Sequence, residues 1–132
     1  MKKFFRLMIL TIIILGGCDL ERTNPLDGIT PPPDIKFKSI SGDTQVKIIW
    51  FKKDISIVDG YYLYKSLTWD GKYYRIKDEP NSSSNDSTQY CYDYDVMIDH
   101  TYFYKISAYK YIVSVGDTLE GRLSEPEWVV LK

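Results

Sequence analysis

The chain has 132 residues, with 17 Lys and Arg against 18 Asp and Glu. The net charge of -1 gives no electrostatic case for nucleic acid, and the length sets one domain as the expectation. Aromatic residues make up 15%, and all 12 tyrosines fall between Tyr61 and Tyr111, a density that favours strands over helices. Beyond the N-terminus no long stretch carries the i, i+3, i+4, i+7 apolar spacing of a helix.

Lys2, Lys3 and Arg6 precede an apolar run from Leu7 to Leu15. That run is shorter than the roughly 20 residues a spanning helix needs, so it reads as the apolar part of a secretory signal. It ends in Leu15-Gly16-Gly17-Cys18. The tetrad resembles the bacterial lipobox, whose Cys is acylated (palmitate among the chains) and becomes the first mature residue. The resemblance implies a signal peptide over residues 1–17, lipidation of Cys18 and a membrane-anchored lipoprotein of the cell envelope. The competing readings are an ordinary signal with a chance Cys, or an uncleaved anchor. Cleavage removes three basic residues and no acidic one, leaving a mature charge near -4. Asp19 resembles an inner-membrane retention signal of enteric bacteria, a rule that does not extend to all bacteria, so membrane and leaflet stay open. With Cys18 acylated, Cys91 is the one remaining cysteine and reads as a small buried hydrophobe, or else as a reactive or intermolecular thiol.

Residues 18–33 read as the lipidated Cys and a polar tether ending in Pro31-Pro32-Pro33, a run that favours extended polyproline geometry. Residues 34–132 read as seven strands. The first covers Ile35 to Ile40. The second covers Gln45 to Phe51, with Val46, Ile48 and Trp50 on one face. The third covers Gly60 to Ser66, with Tyr61 and Leu63 inward and Tyr62 and Tyr64 outward. Asp70-Gly71 signals a hairpin into a fourth strand, Tyr73 to Ile76. A polar loop from Glu79 to Ser87 follows. The fifth strand is Thr88 to Asp93, with Cys91 inward. In the sixth, Tyr102, Tyr104, Ile106 and Ala108 alternate with Phe103, Lys105, Ser107 and Tyr109. A long loop begins at Val115, and Trp128 to Leu131 form the core of the seventh strand, with Pro126 at its entry.

These strands resemble a fibronectin type III domain. The carriers are Trp50 in Val46-Lys47-Ile48-Ile49-Trp50, the phrase Val58-Asp59-Gly60-Tyr61-Tyr62-Leu63-Tyr64-Lys65-Ser66, the Val96 and Tyr102 spacing, and Ser124-Glu125-Pro126 before the last strand. The similarity covers about residues 31 to 132. It departs at Lys53, where a Pro often stands, and at Asp99-His100, which replaces Pro-Gly. The resemblance implies an all-β, seven-stranded immunoglobulin-like sandwich with a tyrosine corner, in which the Tyr102 hydroxyl hydrogen-bonds backbone a few residues upstream. Its centre is expected at Trp50, Tyr61, Leu63, Val96, Tyr104 and Ile106.

Little catalytic chemistry is legible. His100 is the single histidine, so a multi-His metal site or a Ser/His/Asp triad lacks partners. Asp93, Asp95 and Asp99 cluster without the loop a hard cation needs. No cofactor or metal is expected, and the chain reads as a non-enzyme. The remaining signal is a set of outward rings. Tyr62, Tyr64, Tyr74, Phe103 and Tyr109 should share the outer face of the sheet that holds the third, fourth and sixth strands. They serve either as cross-strand pairs that stabilise the sheet or as a flat platform for a protein or glycan partner. The expected role is non-catalytic binding or scaffolding at the envelope. The alternative is an accessory subunit of an envelope complex or of a glycan-acting enzyme.

Overall fold

Alternating apolar and polar residues cannot bury one face as helices, so they do it as strands. A computed structural model describes residues 35–39 and 44–132; the signal segment, Cys18 and the tether over 1–33 lie outside the described residues. The strands are β1 (Ile35–Ser39), β2 (Val46–Phe51), β3 (Gly60–Ser66), β4 (Tyr74–Pro80), β5 (Thr88–Asp93), β6 (Thr101–Ile112), β7 (Asp117–Glu120) and β8 (Glu127–Val130). They form a three-stranded sheet, β1-β2-β5, and a five-stranded sheet, β4-β3-β6-β7 with β8 also paired to β6. All pairings are antiparallel. Two such sheets stacked about 10 Å apart make a sandwich.

The core follows the expected parity. Val46, Ile48 and Trp50 from β2 meet Tyr61 and Leu63 from β3 and Tyr102, Tyr104, Ile106 and Ala108 from β6, and all are buried. The Trp50 and Tyr61 rings lie 5.5 Å apart at 59°. Cys91 is buried on the same side. The corner closes as the resemblance implies: the Met97 N–H donates to the Tyr102 hydroxyl at 2.8 Å, and Val96 is buried beneath it. Asp99 takes a φ of 64° there, the left-handed conformation that Asp tolerates better than most residues.

Two elements differ from expectation. The fourth strand begins at Tyr74 and runs on to Pro80, through residues read as loop. Its register with β3 jumps from Leu63↔Lys77 to Tyr64↔Arg75, so Ile76 is an extra, bulged residue. The residues from Val115 do not stay a loop. A turn ending in Gly116, at φ 68°, sends β7 back along β6, from Ile112↔Asp117 to Tyr109↔Glu120. The seventh strand position is therefore shared by β7 and β8. The break between them contains Pro126, which has no N–H to donate. Ser124 bridges it: its N–H donates to the Ile106 carbonyl at 2.8 Å, and its hydroxyl accepts from the Ile106 N–H at 2.9 Å.

Candidate functional site

The outer face of the five-stranded sheet holds four of the five expected rings: Tyr62, Tyr64, Phe103 and Tyr109. They are half-buried. Tyr62 and Tyr109 stack at 4.4 Å and 23°, and the Arg75 guanidinium sits 4.3 Å over the Tyr62 ring. The Tyr109 hydroxyl donates to Asp78 Oδ1 at 2.7 Å. Gly60 makes room for that ring, since a Cβ there would stand 2.3 Å from the Tyr109 hydroxyl. The Tyr64 hydroxyl donates to the Glu120 carboxylate, which also accepts from the Ser107 hydroxyl at 2.6 Å. Burial, and then these carboxylates, raise both phenols, Tyr64 to about 12 and Tyr109 higher still. A neutral phenol beside a carboxylate remains a donor, so the upper end of this face is cross-linked.

The lower end, where β3 ends and β8 pairs with β6, is more open. Phe103 meets Trp69 edge to face at 5.9 Å and 88°. On its other side Trp128 stands directly opposite Phe103 in the β6–β8 register. Trp69 is 52% exposed and Trp128 57%. Beside them Lys105 Nζ lies 4.5 Å over the Tyr73 ring, and the Tyr73 hydroxyl donates to the Trp69 carbonyl at 2.8 Å.

Tyr74 is not on this face. The bulge at Ile76 shifts the parity, so Tyr74 pairs with Lys65, whose side chain points between the sheets. Tyr73 takes the outer place. Tyr74 instead lines a groove of about 610 Å³ at the sandwich edge, with Leu67, Ile76, Met97 and Tyr102 among its walls. At the groove's floor Lys65 Nζ lies 2.7 Å from Asp93 Oδ2, and their side chains are 11% and 7% exposed. Asp93 Oδ2 also accepts from the Tyr104 hydroxyl at 2.7 Å, and Lys65 donates to the Asp95 carbonyl while sitting 4.5 Å over the Tyr102 ring. Lys65 and Asp93 neutralise one another and Tyr104 ties the carboxylate from within the core, which suits a structural crosslink between sheets better than an acid–base site.

The other titratable candidates are placed as follows. Burial pushes the Cys91 thiol up to about 12, which disfavours the thiolate that a nucleophile or a metal ligand needs. His100 is exposed, with Nδ1 3.0 Å from the Ile98 carbonyl oxygen. Asp93, Asp95 and Asp99 do not converge; among the described residues no group of three or more His, Cys, Asp or Glu is placed to hold a metal ion.

Sequence reading missed the buried Lys65–Asp93 pair, although parity carried the signal. Lys65 continues the inward series of Tyr61 and Leu63, and Asp93 continues that of Cys91. It also passed over a second aromatic row. Tyr90, Tyr92 and Tyr94 share the outer face of the three-stranded sheet, with Tyr90–Tyr92 centroids 5.7 Å apart and Tyr92–Tyr94 5.8 Å apart.

The chain resembles a number of solved structures. An Fn3-like protein from Clostridium thermocellum aligns with a TM-score of 0.57 at 16% identity, covering 77% of this chain and 93% of that one. A structure described as that of a myokine aligns with a TM-score of 0.51 at 16% identity, covering 76% and 94%. No protein-family model matches the chain, and no curated protein does. The fold is the fibronectin type III-like sandwich that the sequence resemblance implied.

Proposed function

We propose that the chain is a lipid-anchored, non-catalytic binding module of the bacterial cell envelope, and that it captures a glycan chain on the lower outer face of its five-stranded sheet. The anchor rests on Leu15-Gly16-Gly17-Cys18 after a short apolar run. One observation carries the capture surface: two indoles, each more than half exposed, flank Phe103. Exposed aromatic groups of this kind mark interaction sites. Their broad apolar faces suit the C–H face of a sugar ring, while the Lys105 ammonium and the Tyr73 hydroxyl oxygen offer polar atoms beside them. A protein hot spot, by contrast, sits in a well-packed pocket ringed by contacts that exclude water, and these two indoles are more than half exposed. The non-catalytic reading is supported by the commitment of nearby ionisable groups: Glu120 and Asp78 accept from tyrosines, and Lys65 and Asp93 neutralise one another.

The test is co-sedimentation with purified cell-wall polysaccharide. Trp69→Ala and Trp128→Ala should each weaken capture about tenfold, or about 1.4 kcal/mol, with little change in the thermal midpoint. Tyr109→Phe, at the cross-linked end, should bind as the parent does. Equal capture by all three variants would remove this surface. The anchor is checked separately, since Cys18→Ala should abolish metabolic labelling with palmitate.

A further inference from the structure

The outer faces of the two sheets carry different chemistry. On the five-stranded sheet cations and carboxylates are mixed: Arg75 and Lys105 stand among Asp78 and Glu120. On the three-stranded sheet, the outward positions of β2 and β5 hold no carboxylate among the described residues. They hold a row of tyrosines. Tyr90 is 54% exposed and Tyr94 65%, with Tyr92 between them. Lys47 Nζ lies 4.1 Å over the Tyr90 ring and 5.9 Å from the Tyr92 centroid. In β1, Lys36 and Lys38 occupy the register positions opposite Ile49 and Lys47.

We propose that this face docks on the anionic headgroup surface of the membrane that holds the anchor. The proposal rests on the reading of Cys18 as lipidated. Tyrosine, like tryptophan, is enriched at the membrane interface, with its ring in the apolar boundary and its hydroxyl among headgroups, and basic residues are drawn to anionic leaflets, which here selects the face without carboxylates among the described residues. The mature chain is net acidic, so its other faces are repelled and the cationic face is selected. The connection points the same way. Sixteen residues, Asp19 to Asp34, separate Cys18 from β1, and they can span no more than about 55 Å. They enter at the three-stranded sheet itself. Confinement within that reach raises the effective concentration of the face at the lipid, so a weak contact suffices. The docked domain turns Trp69 and Trp128, on the opposite sheet, away from the membrane and toward a partner.

The experiment uses the acylated mature chain in vesicles. Nitroxides are placed through Tyr94→Cys or Val113→Cys in a Cys91→Ala background; Val113, on the β6–β7 turn of the other sheet, is 82% exposed. Flotation with the vesicles is scored first, because a chain that does not float overturns the anchor itself and the docking with it. In vesicles of phosphatidylglycerol and phosphatidylcholine in equal parts, the label at 94 should lose collisions with an aqueous nickel chelate, and the label at 113 should not. Lys47→Glu should weaken the docked state roughly tenfold, as should vesicles of phosphatidylcholine alone. A chain that floats with both labels equally accessible overturns the docking and leaves the anchor standing. Immobilisation of the 94 label by unlabelled chain in detergent would assign the face to a second copy and likewise overturn the docking.

Discussion

Lys65 shows what a single inward charge requires. Strand parity turns its side chain between the sheets, where an isolated ammonium would cost several kcal/mol. Asp93, inward on the opposing sheet, meets it at 2.7 Å, and Tyr104 and the Asp95 backbone N–H complete the carboxylate. The pair joins β3 to β5 through the core, a role for which the sequence offers two inward charges but not their meeting. That meeting depends on how the sheets stack, which no local pattern encodes. Lys65→Met removes one partner and leaves a buried carboxylate, so it should cost about 3–5 kcal/mol. A combined Lys65→Met and Asp93→Asn variant should recover most of the loss, because Asn can still accept from Tyr104. Urea denaturation of both variants decides it: additive losses would mean that the charges do not interact.

At the scale of elements, β3 and β5 were legible to the residue, since Gly60 to Ser66 and Thr88 to Asp93 alternate cleanly between turn signals. β4 was not. Its bulge inserts Ile76 and exchanges the faces of Tyr73 and Tyr74, and a one-residue shift reverses every side chain. The same strand shows edge protection. Lys77 and Glu79 pair with the inward residues Leu63 and Tyr61, and inward charge, a bulge and a terminal Pro all discourage edge-to-edge pairing. β3 depends on Gly60 for a different reason. The Tyr109 ring lies across it, stacked on Tyr62 and bonded to Asp78. Gly60→Ala should push that ring aside and cost about 1–2 kcal/mol, the sum of one hydrogen bond and one ring pair. In a Tyr109→Ala background the same change should cost far less. Equal costs in the two backgrounds, read from chemical denaturation, would show that the ring does not constrain position 60.

For the whole molecule, the sandwich and the corner were readable because β2, β3 and β6 each had to present one apolar face to the core. The site was readable only in part, because Phe103 was assigned to an outer face by parity while Trp69 sits in a turn and Trp128 in a short final strand. The same burial that builds the core sets how stability responds to alkali. The Cys91 thiol moves from 9.0 up to about 12, through burial first and then the nearby charge of Glu79. Burial, and then the bond to Asp93, likewise raise the buried Tyr104 phenol above 10.0. Each folded value lies above its unfolded value, so the unfolded chain releases these protons first. The contribution is fully present below about pH 9 and is lost as pH rises toward 12, at about 1.4 kcal/mol per pH unit for each proton released. Stability from these groups should therefore be flat from pH 7 to 9 and fall steeply above it. Cys91→Ala should remove one proton from that slope while costing about 1 kcal/mol at neutral pH through lost packing. Urea midpoints taken between pH 7 and 11 test this, together with alkylation of the native chain at pH 8, where Cys91 should react no faster than the fold opens. An unchanged alkaline slope in Cys91→Ala, or rapid alkylation of the native chain, would place the thiol nearer to solvent than the core of this sandwich allows.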